Sequence, residues 1–340
     1  MKNMLFELCS ANAVIGSNEN IFNVVYKYLS DIAQVSTDSF GNIYAELGNK
    51  NASKTILLDA HIDQIGMIVT AIEENGFLRV AKCGGIDTRV LPGSPVLVHG
   101  KKAVTGIVCC MPPHLSDGKE DTAVPIDSIF IDTGLSTEKA CELISLGDTI
   151  TCLTTPKELL NNNVSALSLD NRVGVASLIR TAQLISGKAT DYRVVIMLSS
   201  QEETYGTGAK TGSYKIDADE SIVVDVSFAT QPDVNNYPTA GELGKGTMIC
   251  ISPILNREMT DRLFSLAKTS RIMYQTEVCS GRTGTNADHI SISKNGVKTA
   301  LLSVPQRYMH TQAEIVNLDD IECTAKLIAE YILQGGIGNE

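Results

Sequence analysis

The 340-residue chain has no tryptophan and no C-x-x-C pair. It also has no apolar run of the ~18 residues that a membrane-spanning helix requires. Basic residues are outnumbered, 28 Lys and Arg against 39 Asp and Glu, for a net charge of −11. Each shortage excludes a class. Without clustered Lys and Arg the chain is not built to neutralise a phosphate backbone or an anionic membrane surface. Nine cysteines, an odd count that includes the adjacent pair Cys109 and Cys110, form neither a disulfide framework nor a zinc ribbon. They read as reduced, mostly buried thiols of a cytoplasmic protein. The N-terminal MKNMLFELCSANAV is interrupted by Glu7 and Asn12, so it reads as a first helix and not as a signal peptide.

What remains is an ordinary globular composition, 43% apolar, at a length that suggests about two domains. Helical periodicity covers residues 2–13 and 19–30. Short strands are expected at 34–37 and 42–47, and the apolar run TILLDA (55–60) reads as a strand buried on both faces. From 67 to 163 the texture changes to short β segments separated by Gly and Pro turns, with one helix near 136–145. After 164 strands and helices alternate again: helices at 171–186, 206–213, 258–271 and 319–333, and strands at 192–200, 221–226, 247–252, 275–279 and 298–303. The expected fold class is α/β, a mixed and largely parallel sheet flanked by helices. Residues 1–66 and 164–340 would form this discontinuous domain, and 67–163 an inserted β-barrel domain.

Chemistry-bearing residues gather where the apolar strands end. His61 and Asp63 follow TILLDA, Asp170 precedes the 171–186 helix, Glu202 and Glu203 follow RVVIMLSS, Asp225 closes SIVVD, and His310 follows the 298–303 strand. Open α/β sheets bind ligands at the carboxyl ends of their strands, and unpaired charges beside buried strands are costly. His and carboxylate donors without thiolate suit a catalytic zinc, cobalt or manganese site. Two histidines and several carboxylates exceed the needs of one ion and match a pair of ions about 3.5–4 Å apart that share a carboxylate. In the Glu202-Glu203 pair one side chain can bind metal while its neighbour reaches an attacking water. The following Gly206-Thr-Gly208 with Gly212 is not a dinucleotide loop, because the two glutamates ahead of it would repel a pyrophosphate.

The segments HIDQIGMIV, SLDNRVGVAS, SSQEETYGTGA, VVDVSFA, GRTGTNAD and PQRYMHTQAEIV, in this order over nearly the whole chain, resemble the dinuclear-metal aminopeptidases of the tetrahedral, glutamyl-aminopeptidase-like family. Some members of that family carry the older label of endoglucanase or cellulase M. The resemblance implies that His61, Asp170 and Asp225 hold one divalent ion, and that Asp170, Glu203 and His310 hold the other. Zinc or cobalt would be the metal and Glu202 the general base. Asp63 would orient the His61 imidazole. It further implies short peptide substrates cut at the N-terminus and a PDZ-like dimerisation role for the insertion. The dimers would assemble into a hollow homododecamer.

Gln64 and Asn286 depart from the pattern, where Glu and Asp are common, and Asn286 is expected to bear on substrate contacts. His99 and His114 read as structural, His289 as a pocket or helix-capping residue, and Arg282 and Arg307 as neighbours of the pocket. Two other functions use related features: an N-acyl amino acid deacylase or carboxypeptidase on the same fold, and a non-catalytic scaffold. The scaffold would have lost a ligand or the base, whereas all seven positions are intact. A glycosidase is disfavoured by the missing tryptophan platform and by the metal-type donor set.

Overall fold

A computed structural model describes residues 1–14, 19–115, 123–232 and 240–337. Helices α1 (Lys2–Ser10) and α2 (Glu19–Leu29) precede strands β1 (Gln34–Thr37), β2 (Ile43–Gly48) and β3 (Lys54–His61). Strands β4 (Gly66–Ile72), β5 (Leu78–Cys83), β6 (Pro95–His99), β7 (Ala103–Val108), β8 (Phe130–Asp132) and β9 (Thr149–Cys152) follow, with α3 (Thr137–Leu143) before β9. The return to α/β runs through β10 (Lys157–Glu158), β11 (Asn163–Ala166), α4 (Leu169–Ile185), β12 (Tyr192–Ser199), α5 (Thr207–Ile216) and β13 (Glu220–Phe228). It ends with β14 (Thr247–Ile251), α6 (Arg257–Thr269), β15 (Tyr274–Val278), α7 (Ala287–Ile290), β16 (Lys298–Gln306), β17 (Glu314–Asn317) and α8 (Leu318–Leu333).

The main sheet has the order β1-β2-β12-β3-β13-β16-β14-β15. Its centre, β12-β3-β13-β16, is parallel, and β14 joins β16 antiparallel. The expected mixed, largely parallel sheet is therefore present. Side chains of β3 alternate with period two. Ile56, Leu58 and Ala60 enter the larger core beside α4 and α8, while Leu57 enters the smaller core on the other face beside α5 and α7. This two-sided burial explains why TILLDA carries apolar residues without polar alternation. Strands β4-β5-β8-β7-β6-β9 close a barrel with a core of its own, including Met67, Val80, Val98 and Ile131.

Three short strands were not anticipated: β10, β11 and β17 form a separate antiparallel sheet. With two to four residues each they are too short to establish a period. The glycines after Glu203 have a packing role. A Cβ on Gly208 would lie 2.3 Å from the Ser200 carbonyl oxygen, and one on Gly212 2.2 Å from the Met197 sulfur, so α5 rests directly on β12. The cysteines are all free, but fewer are buried than expected. Cys9, Cys152, Cys250 and Cys323 are buried, Cys110 and Cys141 exposed, and the other three part-exposed.

At the start of α8, Asp320 is fully buried and accepts the N–H groups of Gly244 (2.8 Å) and Gly246 (2.6 Å). Burial pushes its carboxyl up from 3.8 to about 6. A carboxyl whose folded-state pKa exceeds its unfolded value stabilises the fold when protonated. That contribution is present below about pH 4 and is lost as pH rises through about 6. Chemical denaturation of wild type and Asp320→Asn is therefore expected to show wild type losing about 2 kcal/mol relative to the variant between pH 4 and 7. A flat difference across that window would contradict the shifted carboxyl.

Candidate metal-binding active site

Backbone geometry carries the seven expected side chains to one place. His61 is the last residue of β3 and pairs in register with Ser199 of β12; Asp225 lies on β13. The carboxyl ends of adjacent parallel strands thus converge, as the fold requires of its ligand sites.

Asp170 reaches the site because the helix starts after it. Asp170 and Asn171 have non-helical backbone angles. Asn171 acts as the effective cap: its side-chain oxygen accepts the Gly174 N–H at 3.0 Å, and its amide donates to the Val224 carbonyl at 2.8 Å. This fixes Asp170 beside Asp225. The Asp170–Asn171 peptide bond is cis.

The Glu202-Glu203 turn is held by Asp63. Gln201 adopts a left-handed φ of 62°, and the two following N–H groups point at one carboxylate. Glu202 donates to Asp63 Oδ1 at 3.0 Å and Glu203 to Oδ2 at 3.1 Å. The His61 Nδ1 lies 3.2 Å from the Asp63 backbone oxygen and 3.6 Å from its carboxylate. Asp63 therefore orients the imbedded imidazole chiefly through its main chain and spends its carboxylate on the glutamate turn.

Asp170 stands between the two imidazoles. Its Oδ1 is 3.0 Å from His61 Nε2 and its Oδ2 3.4 Å from His310 Nε2. His61 Nε2 also lies 3.8 Å from Asp225 and 3.9 Å from Glu202, and His310 Nε2 lies 3.6 Å from Glu203. Donor atoms of His61, Asp170 and Asp225 fall within 4.8 Å of one another, as do those of Asp170, Glu203 and His310. The Glu202 side chain is 18% exposed and that of Glu203 5%, so Glu202 faces the opening and Glu203 the interior.

The electrostatics ask for cations. Burial and the neighbouring Asp170 push the Glu203 carboxyl up to about 8, and burial raises Glu202 and Asp225 as well. Burial opposes ionisation of Asp170, yet its bonds to His310 and His61 hold it below the usual carboxylate range. The bond to Asp170 lifts His310 to about 9. Among the described residues no Lys or Arg forms an ion pair with Asp170, Glu202, Glu203 or Asp225. A buried excess of carboxylates, paired only with imidazoles, fits divalent cations in both number and kind of donor.

Sequence reasoning missed Glu314. It is 1% exposed in β17, and it accepts the His310 N–H at 3.0 Å and the Asp170 N–H at 3.2 Å. One carboxylate thereby ties together the two loops that carry Asp170 and His310. Its position inside the strand-like AEIV gave no sign of this role.

The barrel forms part of the wall. A Cβ on Gly85 would lie 2.6 Å from His310 Nδ1, and one on Gly84 3.2 Å from Glu203 Cβ. The Gln312 amide donates to the Val90 carbonyl at 2.7 Å and to Ser94 Oγ at 2.5 Å, fastening the His310 loop to the barrel.

The two departures from the family pattern lie behind the site. Gln64 is buried and accepts from Arg172 Nη2 at 3.1 Å and from the Ala13 N–H at 3.3 Å. Asn286, expected to bear on substrate, is 1% exposed and donates to Asp59 (2.9 Å) and Ser199 (2.8 Å), so it braces β3 against β12 and does not face the opening. His289 packs against Gly206, His99 contacts Thr151 Oγ1 within the barrel, His114 is exposed, and Arg307 donates to the Thr230 carbonyl.

A hydrolase that works with metal assistance uses carboxylate and imidazole donors of this kind at such strand ends. The chain matches the M42 glutamyl aminopeptidases across residues 41–327 and belongs to that family. It is a peptidase, an aminopeptidase by class. A lysyl aminopeptidase of Pyrococcus furiosus is 32% identical over 316 residues, covering 90% of this chain and 89% of the relative. An aminopeptidase structure from the archaeon Desulfurococcus kamchatkensis superposes with a TM-score of 0.91 at 29% identity, over 98% of this chain and 94% of the other. A TET1 peptidase of Pyrococcus horikoshii, which can assemble into a tetrahedron or a large octahedral shell, gives 0.86 at 30% identity, over 98% and 99%. No helix among the described residues is long and apolar enough to cross a membrane.

Gly85→Ala is expected to displace the His310 ring and lower kcat/KM for an aminoacyl substrate by roughly ten- to a hundredfold, with an unchanged circular-dichroism spectrum. Full activity would show that the ring is not held by the barrel.

Proposed function

We propose that this enzyme removes N-terminal residues from short peptides with a co-catalytic pair of divalent cations, zinc or cobalt. The observation that carries the reading is the sharing of Asp170 between two donor triads, one with His61 and Asp225 and one with Glu203 and His310. In this reading both ions would be held with Asp170 as a shared ligand, and when bound they would supply a water of lowered pKa and Lewis-acid polarisation of the substrate carbonyl.

The remaining work belongs to the chain. Glu202, part-exposed beside the His61 imidazole, takes a proton from the attacking water and returns it to the leaving amine. Burial raises its carboxyl, which brings its basicity closer to neutral pH. Asp63 holds Glu202 in place through the main-chain N–H, so the base and the ligand Glu203 keep a fixed offset. The free α-amine of the substrate sits near a metal or an acidic side chain, which makes the enzyme an exopeptidase. Residues 67–163 serve as a dimerising insertion in the discontinuous 1–66 and 164–340 domain. Dimers assemble into a dodecamer in the cytoplasm; the tetrahedral assembly of the Pyrococcus horikoshii relative supports this part of the reading.

The test is hydrolysis of free and N-acetylated aminoacyl-p-nitroanilides by metal-stripped enzyme after zinc or cobalt is restored. Metal-dependent cleavage of the free compounds alone is expected, and the ranking reports the preferred residue. Cleavage of the acetylated set would instead make the enzyme a deacylase. Glu202→Gln is expected to bind the same metal and to lose roughly 10²–10⁴ in kcat. Near wild-type turnover in that variant would remove Glu202 from the mechanism.

A further inference from the structure

Two thiols and a carboxylate that the aminopeptidase reading does not use lie together at the far side of the main sheet. Cys250 of β14 and Glu277 of β15 are register partners, and Cys279 follows β15 directly. The two sulfurs are 3.6 Å apart, and the sulfur and carboxylate atoms all fall within 4.8 Å of one another. In the sheet β14 lies two strand spacings, or ~10 Å, from β13, which carries Asp225, although the Glu277 side chain reaches back to Ser303 of β16 and Ser227 of β13.

Glu277 supplies an independent observation. It is 4% exposed, and its oxygens accept from the hydroxyls of Ser227 and Ser303, the latter at 2.7 Å, with the Cys250 thiol beside it. No Lys, Arg or His forms an ion pair with it among the described residues. A buried carboxylate without countercharge calls for a cation, and two adjacent sulfurs specify a thiophilic one. The sulfur spacing agrees. Two thiolates on a tetrahedral zinc, at a bond length of about 2.3 Å, stand about 3.8 Å apart. A disulfide would need the sulfurs to close to about 2.05 Å.

We propose that Cys250, Glu277 and Cys279 form a second metal site, for one thiophilic divalent cation such as zinc, separate from the strand-end cluster. Water reaching the part-exposed Cys279 completes the coordination. Binding breaks two S–H bonds, forms two metal–sulfur bonds and releases two protons to solvent, with no change of oxidation state. Burial and the nearby Glu277 hold the Cys250 thiol protonated in the absence of metal, so affinity rises with pH. The cation fastens the start of the 279–286 loop, whose other end, Asn286, braces Asp59 and Ser199 beneath the active site.

The test is cobalt titration of the full-length, metal-stripped enzyme, read as a thiolate-to-cobalt charge-transfer band together with metal equivalents per subunit. Wild type is expected to show the band. The Cys250→Ser/Cys279→Ser double variant is expected to lose the band and one equivalent, and His61→Ala to keep the band, which separates this site from the catalytic cluster. No band in wild type at saturating cobalt, an equal band in the double variant, or loss of two titratable thiols before cobalt is added would each overturn the proposal. If the double variant does not fold, Glu277→Gln carries the test. It keeps both thiols and is expected to bind cobalt roughly tenfold or more weakly; unchanged affinity would overturn the proposal.

Discussion

The contact on which the active site depends is Asp170 between two imidazoles. One buried carboxylate faces His61 with one oxygen and His310 with the other. Much of the surrounding structure serves to put it there. Asn171 caps the start of the helix just beyond Asp170 and anchors to β13. Glu314 grips the backbone of Asp170 and of His310 together. Parallel strands in register bring His61 up to the level of the glutamate turn. Burying this many acidic groups with two imidazoles as their basic partners costs free energy. Bound cations would offset that cost, so that in the proposed reading function and stability meet at the same residues.

The barrel also takes part in the active site. Gly84 and Gly85 lie against Glu203 and His310, where a side chain would not fit, and Gln312 binds the barrel backbone. A change in how the barrel sits on the α/β domain would therefore move the His310 ring.

Much of this was legible in the sequence. The strands reveal themselves as apolar runs, and the candidate site residues that the fold brings together as the charges that end those runs, because a charge beside a buried strand needs a partner. Residues whose side chains brace the main chain or the strands behind the site were not legible. Nothing in AEIV shows that Glu314 accepts two N–H groups from loops that meet only in the fold. Gln64 and Asn286 stand inside motifs that line the site, yet their side chains turn away from it to Arg172 and to Asp59. Cys250 and Cys279 are 29 residues apart and follow no ligand spacing, so only the pairing of β14 with β15 brings them together.

The measurement that most directly tests the central assignment is anomalous diffraction from crystals of the enzyme loaded with zinc. Two peaks about 3.5–4 Å apart, with Asp170 between them, His61 and Asp225 on one and Glu203 and His310 on the other, is the predicted result. A single peak at these residues, or two peaks that do not share Asp170, would contradict it.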